Sequence, residues 1–139
     1  MENQDRAMRY ARQIARMIQV DTVRRPGADK ENFDRLHAVM AELFPRVFEG
    51  CRRWEFESSL LFCWPGKTRR ALVLMSHQDV VEAPGAWKYP PFSGTIADGK
   101  LWGRGALDVK GNLHDIFQAV EELMEAGYTP GGGVYIAPR

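Results

Sequence analysis

The 139-residue sequence predicts an α/β fold, three layers with helices on both faces of a mixed, largely parallel central sheet. Three observations predict it. Segments with apolar residues at helical spacing alternate along the chain with short apolar runs of strand length. One such run, residues 71–75 (Ala-Leu-Val-Leu-Met), is apolar on both faces, as in a central strand covered by helices on each side. No internal repeat or low-complexity stretch breaks the alternation, so residues 1–139 read as one unit.

The elements follow in order. Over residues 4–20, Tyr10, Ile14, Met17 and Ile18 recur at helical spacing with arginines opposite, which predicts an amphipathic helix broken by Arg25-Pro26-Gly27. A second helix, residues 30–44, presents Phe33, Leu36, Met40, Leu43 and Phe44 as one stripe, with Asp29 as its N-cap and Pro45 as its stop. Residues 59–64 and 71–76 read as adjacent strands, turned by Pro65-Gly66-Lys67. The three prolines in residues 84–94 forbid a helix there. Asp98-Gly99, between residues 95–97 and 100–102, signals a tight hairpin. A glycine-rich turn then leads to a third helix, buried through Leu113, Ile116, Val120 and Leu123 and capped by Gly127. Residues 134–137 form a last strand with an open outer edge, which predicts a chain that is marginal in stability or associates.

A net charge of +1 gives no whole-chain field toward nucleic acid or an anionic membrane, so neither is expected as a partner. The pairs Arg24-Arg25, Arg52-Arg53 and Arg69-Arg70 are scattered and read as solvated. Cys51 and Cys63 are too few and too far apart for a zinc ribbon or a disulfide framework, and their apolar surroundings suit buried thiols. The first twenty residues are charged throughout, and no run approaches 18 apolar residues, so a cytoplasmic protein is expected. Homo-oligomerisation stays open.

His77 and Asp79 end the most apolar run. In extended backbone, positions i and i+2 share a face. A histidine ligand commonly gives its second ring N–H to a carboxylate, which fixes its tautomer and orientation. The tripeptide alone fits an ordinary hydrogen-bonded histidine as well. Asp108 follows Gly103 and Gly105, whose freedom suits a turn that aims a carboxylate inward, and it fits a structural N-cap equally. Gly103-x-Gly105 lacks the third glycine of a dinucleotide fingerprint.

Together, His77-x-Asp79-Val80-Val81, Trp87-x-x-Pro90-Pro91-Phe92-Ser93-Gly94 and Asp98-Gly99-x-Leu101-Trp102-Gly103-Arg104-Gly105-Ala106-x-Asp108-x-Lys110-Gly111 closely resemble one family. It is the zinc metallopeptidase superfamily of aminoacylases, acetylornithine deacetylases, succinyl-diaminopimelate desuccinylases and carboxypeptidases. Residues 102–108, with 33–45 and 59–66 upstream, are most similar to the carboxypeptidase S and Gly-X carboxypeptidase branch. The likeness is dense over residues 71–127 and looser over 31–66.

The resemblance implies roles residue by residue. His77 matches the ligand of one zinc, and Asp79 the catalytic-site carboxylate that steadies that histidine. Asp108 matches the aspartate bridging two metals, followed by a cis peptide bond to Val109. Residues 87–94 match a packed loop beside the site, with structural aromatics. The implied reaction is hydrolysis of an amide or peptide bond in a small N-acyl-amino acid or peptide, by a zinc-activated water and a glutamate base. Cobalt or manganese also suits such ligands. Glu82 departs from the proline the family often carries. His114 and Asp115 match no ligand and read as surface or second-layer residues. After the strand at 134–137, relatives carry a Glu-Glu pair, and later another acidic ligand, a distal histidine and a dimerisation domain; this sequence reads Pro138-Arg139 there. The resemblance thus implies the N-terminal portion of a catalytic domain with part of a di-zinc site, inactive alone. The competing reading is a non-catalytic scaffold used as an interaction module.

Overall fold

Apolar stripes on four helices converge on one face of a four-stranded sheet. The structure, a computed structural model, describes residues 2–27 and 29–139. In chain order the elements are α1 (Glu2–Ile18), α2 (Asp29–Leu43), α3 (Pro45–Gly50), β1 (Arg52–Phe56), β2 (Ser59–Trp64), β3 (Thr68–Ser76), β4 (Thr95–Ala97), β5 (Lys100–Trp102), a wide turn (Ala106–Lys110), α4 (Gly111–Glu125) and β6 (Gly132–Pro138). Met17, Leu36, Met40, Val47, Leu113, Phe117 and Val120 pack from the helices onto Leu60, Phe62, Trp64 and Ile136 of the sheet. Phe117 is central, its ring 5.4 Å from that of Phe44 and 5.3 Å from that of Phe62. Leu123, expected in this core, is 43% exposed.

The α/β class and the mixed sheet are as expected, but the pairings are not largely parallel. The order is β1-β2-β6-β3, with β1/β2 and β2/β6 antiparallel and β3/β6 parallel. The expected adjacency of β2 and β3 fails because β6 lies between them. The intervening turn packs against the start of β6: a Cβ on Gly66 would fall 2.2 Å from the carbonyl carbon of Gly132. Lys67 and Thr68 then donate to the carbonyls of Pro130 and Gly131, which carries the chain past β6.

It follows that β6 is interior and β3 is the edge, the reverse of what the sequence suggests. Helices were expected on both faces; among the described residues, the helices that join the core pack on one face. On the other face the register aligns Trp54 with Leu61, and Tyr135 with both Cys63 and Val73. No helix among the described residues joins this side to the core, and Val73 and Met75 are 55% and 58% exposed. Strand β1 escapes prediction because its alternation is confined to Trp54 and Phe56, flanked by Arg52, Arg53 and Glu55, and every residue in it is exposed.

Local signals fare better. Asp98 and Gly99 both have positive φ (54° and 68°), the type I′ geometry that joins β4 to β5. Helix α4 ends as Gly127 enters the left-handed region (φ 73°), with Gly127 and Tyr128 donating to the carbonyls of Met124 and Leu123. Pro45 ends α2 but also opens α3, where its missing N–H costs nothing. Asp29 is the first residue of α2 rather than the one before it, and accepts from the Arg25 N–H. Both cysteines are free and buried, and burial pushes the Cys51 thiol up to about 11. No helix among the described residues is long and apolar enough to cross a membrane.

Candidate metal centre

The loop after β3 is held from below so that alternate side chains face outward. Gln78 is fully buried; its amide oxygen lies 2.6 Å from His37 Nε2, and its amide nitrogen donates to the Ser58 carbonyl at 3.0 Å. Its backbone is fixed as well. The Gln78 N–H donates to the Arg139 carbonyl (2.7 Å), the buried Thr22 hydroxyl donates to the Gln78 carbonyl (2.7 Å), and the Val80 N–H donates to the Thr22 carbonyl (3.2 Å). With Gln78 pinned inward, its neighbours His77 and Asp79 share the outward side, as the two-residue period requires.

The second part comes from the turn between β5 and α4. Gly105 is left-handed (φ 84°), and a Cβ there would sit 2.7 Å from Val80 Cγ1, so this position needs glycine twice over. The Lys110 N–H closes the wide turn on the Gly105 carbonyl at 2.8 Å, and the Asp108–Val109 peptide is cis. Lys110 is buried, with its ammonium donating to the carbonyls of Met17 (3.0 Å) and Val20 (2.6 Å) at the end of α1. Burial pushes its pKa down to about 8. Lys110 thus ties the turn bearing Asp108 to the first helix.

These two parts meet. His77 Nε2 lies 3.0 Å from Asp108 Oδ1, although the two residues belong to separate elements. His77 Nδ1 faces Asp79, 2.9 Å from its backbone carbonyl and 3.2 Å from Oδ1. The backbone oxygen is the nearer of the two. Asp108 is 90% exposed on its side chain and therefore open to a further ligand on that side. Two ligands bound at 2.0–2.1 Å on a tetrahedral ion lie about 3.3–3.4 Å apart, so an imidazole nitrogen and a carboxylate oxygen 3.0 Å apart fit one ion with a small adjustment. Among the described residues no group of three His, Cys, Asp or Glu side chains converges as a metal ion requires. The donor set suits zinc, as two ligands of a larger set.

Beside the pair, a cleft of about 430 Å³ is lined by Arg24, Ser59, His77, Asp79 and Arg139. Arg24 donates from Nε to Asp79 Oδ2 at 3.1 Å, so this half-exposed arginine borders the candidate site. The larger groove, about 680 Å³, runs between α4 and β3 and is apolar; it holds neither His77 nor Asp108. His114, read as a surface or second-layer residue, is fully buried between the rings of Tyr10 and Phe44, with Nε2 2.9 Å from Gln13 Oε1. In the loop at 87–94, Tyr89 packs edge-on to Trp102 at 5.4 Å, and Trp87 donates to the Pro84 carbonyl.

Residues 73–137, which include His77, Asp79 and Asp108, match the model of peptidase family M20/M25/M40. The chain belongs to this family. Carboxypeptidase S of Saccharomyces cerevisiae is 36% identical over 109 residues, 72% of this chain and 19% of the yeast protein. An N-fatty-acyl-amino acid synthase/hydrolase of Danio rerio is 37% identical over 131 residues, 86% of this chain and 25% of that protein. Human carnosine dipeptidase 1 shares the fold, with a TM-score of 0.77 and 20% identity over 94% of this chain and 31% of the human one. The M20 chain therefore spans about a fifth to a third of the length of these three relatives.

Of the residues that support the candidate site, sequence reasoning missed Arg24, His37, Gln78 and Lys110. Lys110 and Gln78 lay inside the M20 motifs, but nothing in their spacing marked them as buried. Arg24 was visible only as one of several arginine pairs.

Proposed function

We propose that this M20 chain is the N-terminal portion of a catalytic domain that hydrolyses an amide or peptide bond with zinc, in a small N-acyl-amino acid or peptide substrate. The observation that carries the reading is the 3.0 Å approach of His77 Nε2 to Asp108 Oδ1. His77 would supply a neutral imidazole to one ion, with its Nδ1 proton held by Asp79. Asp108 would supply carboxylate oxygens, its outer side free for a second ion. When bound, the metal supplies a Lewis acid for the carbonyl and a water acidic enough to ionise near neutral pH.

A catalytic zinc takes three protein ligands and an open position. His77 and Asp108 would provide two side chains that touch the ion, so the 139 residues alone bind a divalent ion weakly and hydrolyse nothing at a useful rate. The same reading assigns the bare sheet face and the β3 edge to the additional polypeptide that longer M20 relatives carry. Calorimetric titration with zinc, alongside an N-acyl-amino acid hydrolysis assay, tests it. The expected result is weak binding abolished by His77→Ala or Asp108→Ala, without turnover. Substantial turnover lost on His77→Ala would overturn the inactivity, and zinc binding indifferent to both substitutions would overturn the site.

A further inference from the structure

We infer that Arg24 is a positioning residue for the metal centre, holding Asp79 so that Asp79 in turn holds the His77 ring. This rests on the metal reading above and goes beyond it, because the M20 motifs lie downstream of Arg24. The side chain is braced on three sides. Its Nε donates to Asp79 Oδ2 at 3.1 Å, its guanidinium lies 4.9 Å above the ring centre of the fully buried Phe33, and Nη1 is 4.0 Å from Asp29 Oδ2.

The Asp79 carboxylate is thereby divided. Oδ2 is taken by Arg24, and Oδ1 is left 3.2 Å from His77 Nδ1. From Arg24 a continuous chain of contacts runs through Asp79 and His77 to Asp108. A carboxylate alone can rotate about its Cβ–Cγ bond and present either oxygen, or neither, to the imidazole. A planar guanidinium packed on an aromatic face fixes which oxygen is presented.

Two effects of Arg24 on a bound cation have opposite signs, and this makes the inference testable. As a nearby positive charge, Arg24 repels the ion, so its removal would tighten binding. As a brace, it preserves ligand orientation, and losing such an outer partner typically weakens metal affinity by about 10–100-fold. The inference is that the brace dominates.

The experiment is Co²⁺ titration of the 139-residue chain, followed by the visible absorption of the bound ion, for wild type, Arg24→Met, Asp79→Asn and the double variant. Thermal melts run in parallel, and the His77 ring is followed by NMR without metal. Arg24→Met is expected to weaken Co²⁺ binding by about tenfold or more, to broaden the His77 ring signals and to leave the melting midpoint nearly unchanged. The double variant is expected to bind no more weakly than Asp79→Asn. Binding that is unchanged or tighter in Arg24→Met, or losses that add in the double variant, would overturn the role of Arg24 and leave the metal site standing. Failure of the wild-type chain to bind Co²⁺ at all would overturn the metal site and this inference with it.

Discussion

Replacing Gln78 with methionine tests whether the floor under His77 and Asp79 is built as described. Methionine keeps the length of the buried side chain and removes the amide oxygen and nitrogen. His37 Nε2 then loses its partner at 2.6 Å, and the Ser58 carbonyl loses its donor at 3.0 Å. An unsatisfied buried group costs about 1–3 kcal/mol. Both partners here are half-buried and can partly recruit water, which puts each at the lower end and the total at about 2 kcal/mol. At about 2.1 cal/mol/K of unfolding entropy per residue, 139 residues give a fall of roughly 7 °C in Tm. Urea and thermal denaturation followed by circular dichroism would measure it. A cycle with His37→Phe should then show a coupling of about 1 kcal/mol, since both substitutions remove one bond. Additivity within about 0.3 kcal/mol, or a Gln78→Met protein as stable as wild type, would refute the described floor.

Phe117→Ala should cost about 3–5 kcal/mol and Leu123→Ala less than about 1 kcal/mol by urea titration, because only Phe117 lies at the aromatic centre of the core. Gly105→Ala should destabilise the chain and loosen metal binding together, since a left-handed φ and the Val80 contact both resist a side chain; unchanged calorimetric zinc affinity would contradict that. Burial lowers the pKa of both His37 and His114 from 6.5. The folded state therefore holds fewer protons than the unfolded state near pH 6, so their stabilisation is present above about 6.5 and lost as pH falls through the depressed values. Urea midpoints should drop from pH 7 toward pH 5, and His114→Phe should flatten part of that slope.

The legible parts of this fold were those set by neighbours in sequence. Asp98-Gly99 and Gly127 announce their turns because few other residues adopt positive φ, and the α2 stripe announces its helix because burial follows the 3.6-residue period. Strand order was not legible. Whether β2 meets β3 or β6 depends on contacts between residues such as Gly66 and Gly132, far apart in the chain. The same holds at the site. His77, Asp79 and Asp108 stood out through their motifs, whereas Arg24 and Lys110 act through partners that only the folded chain brings near. Lys110 in particular looks like a solvent-facing base, and its burial depends on carbonyls at the end of α1 that no local pattern links to it.

The parallel pairing of β3 with β6 has a directional consequence. Antiparallel neighbours deliver their ends to opposite rims, but a helical crossover returns β6 pointing the same way as β3, so both strands finish on one rim. The Arg139 carbonyl consequently meets the Gln78 amide, and the Arg139 amide meets the Ser76 carbonyl. Chemistry gathered there draws on two distant stretches of polypeptide without a long loop from either, and a shift in β6 register would displace the support beneath His77 along with the strand.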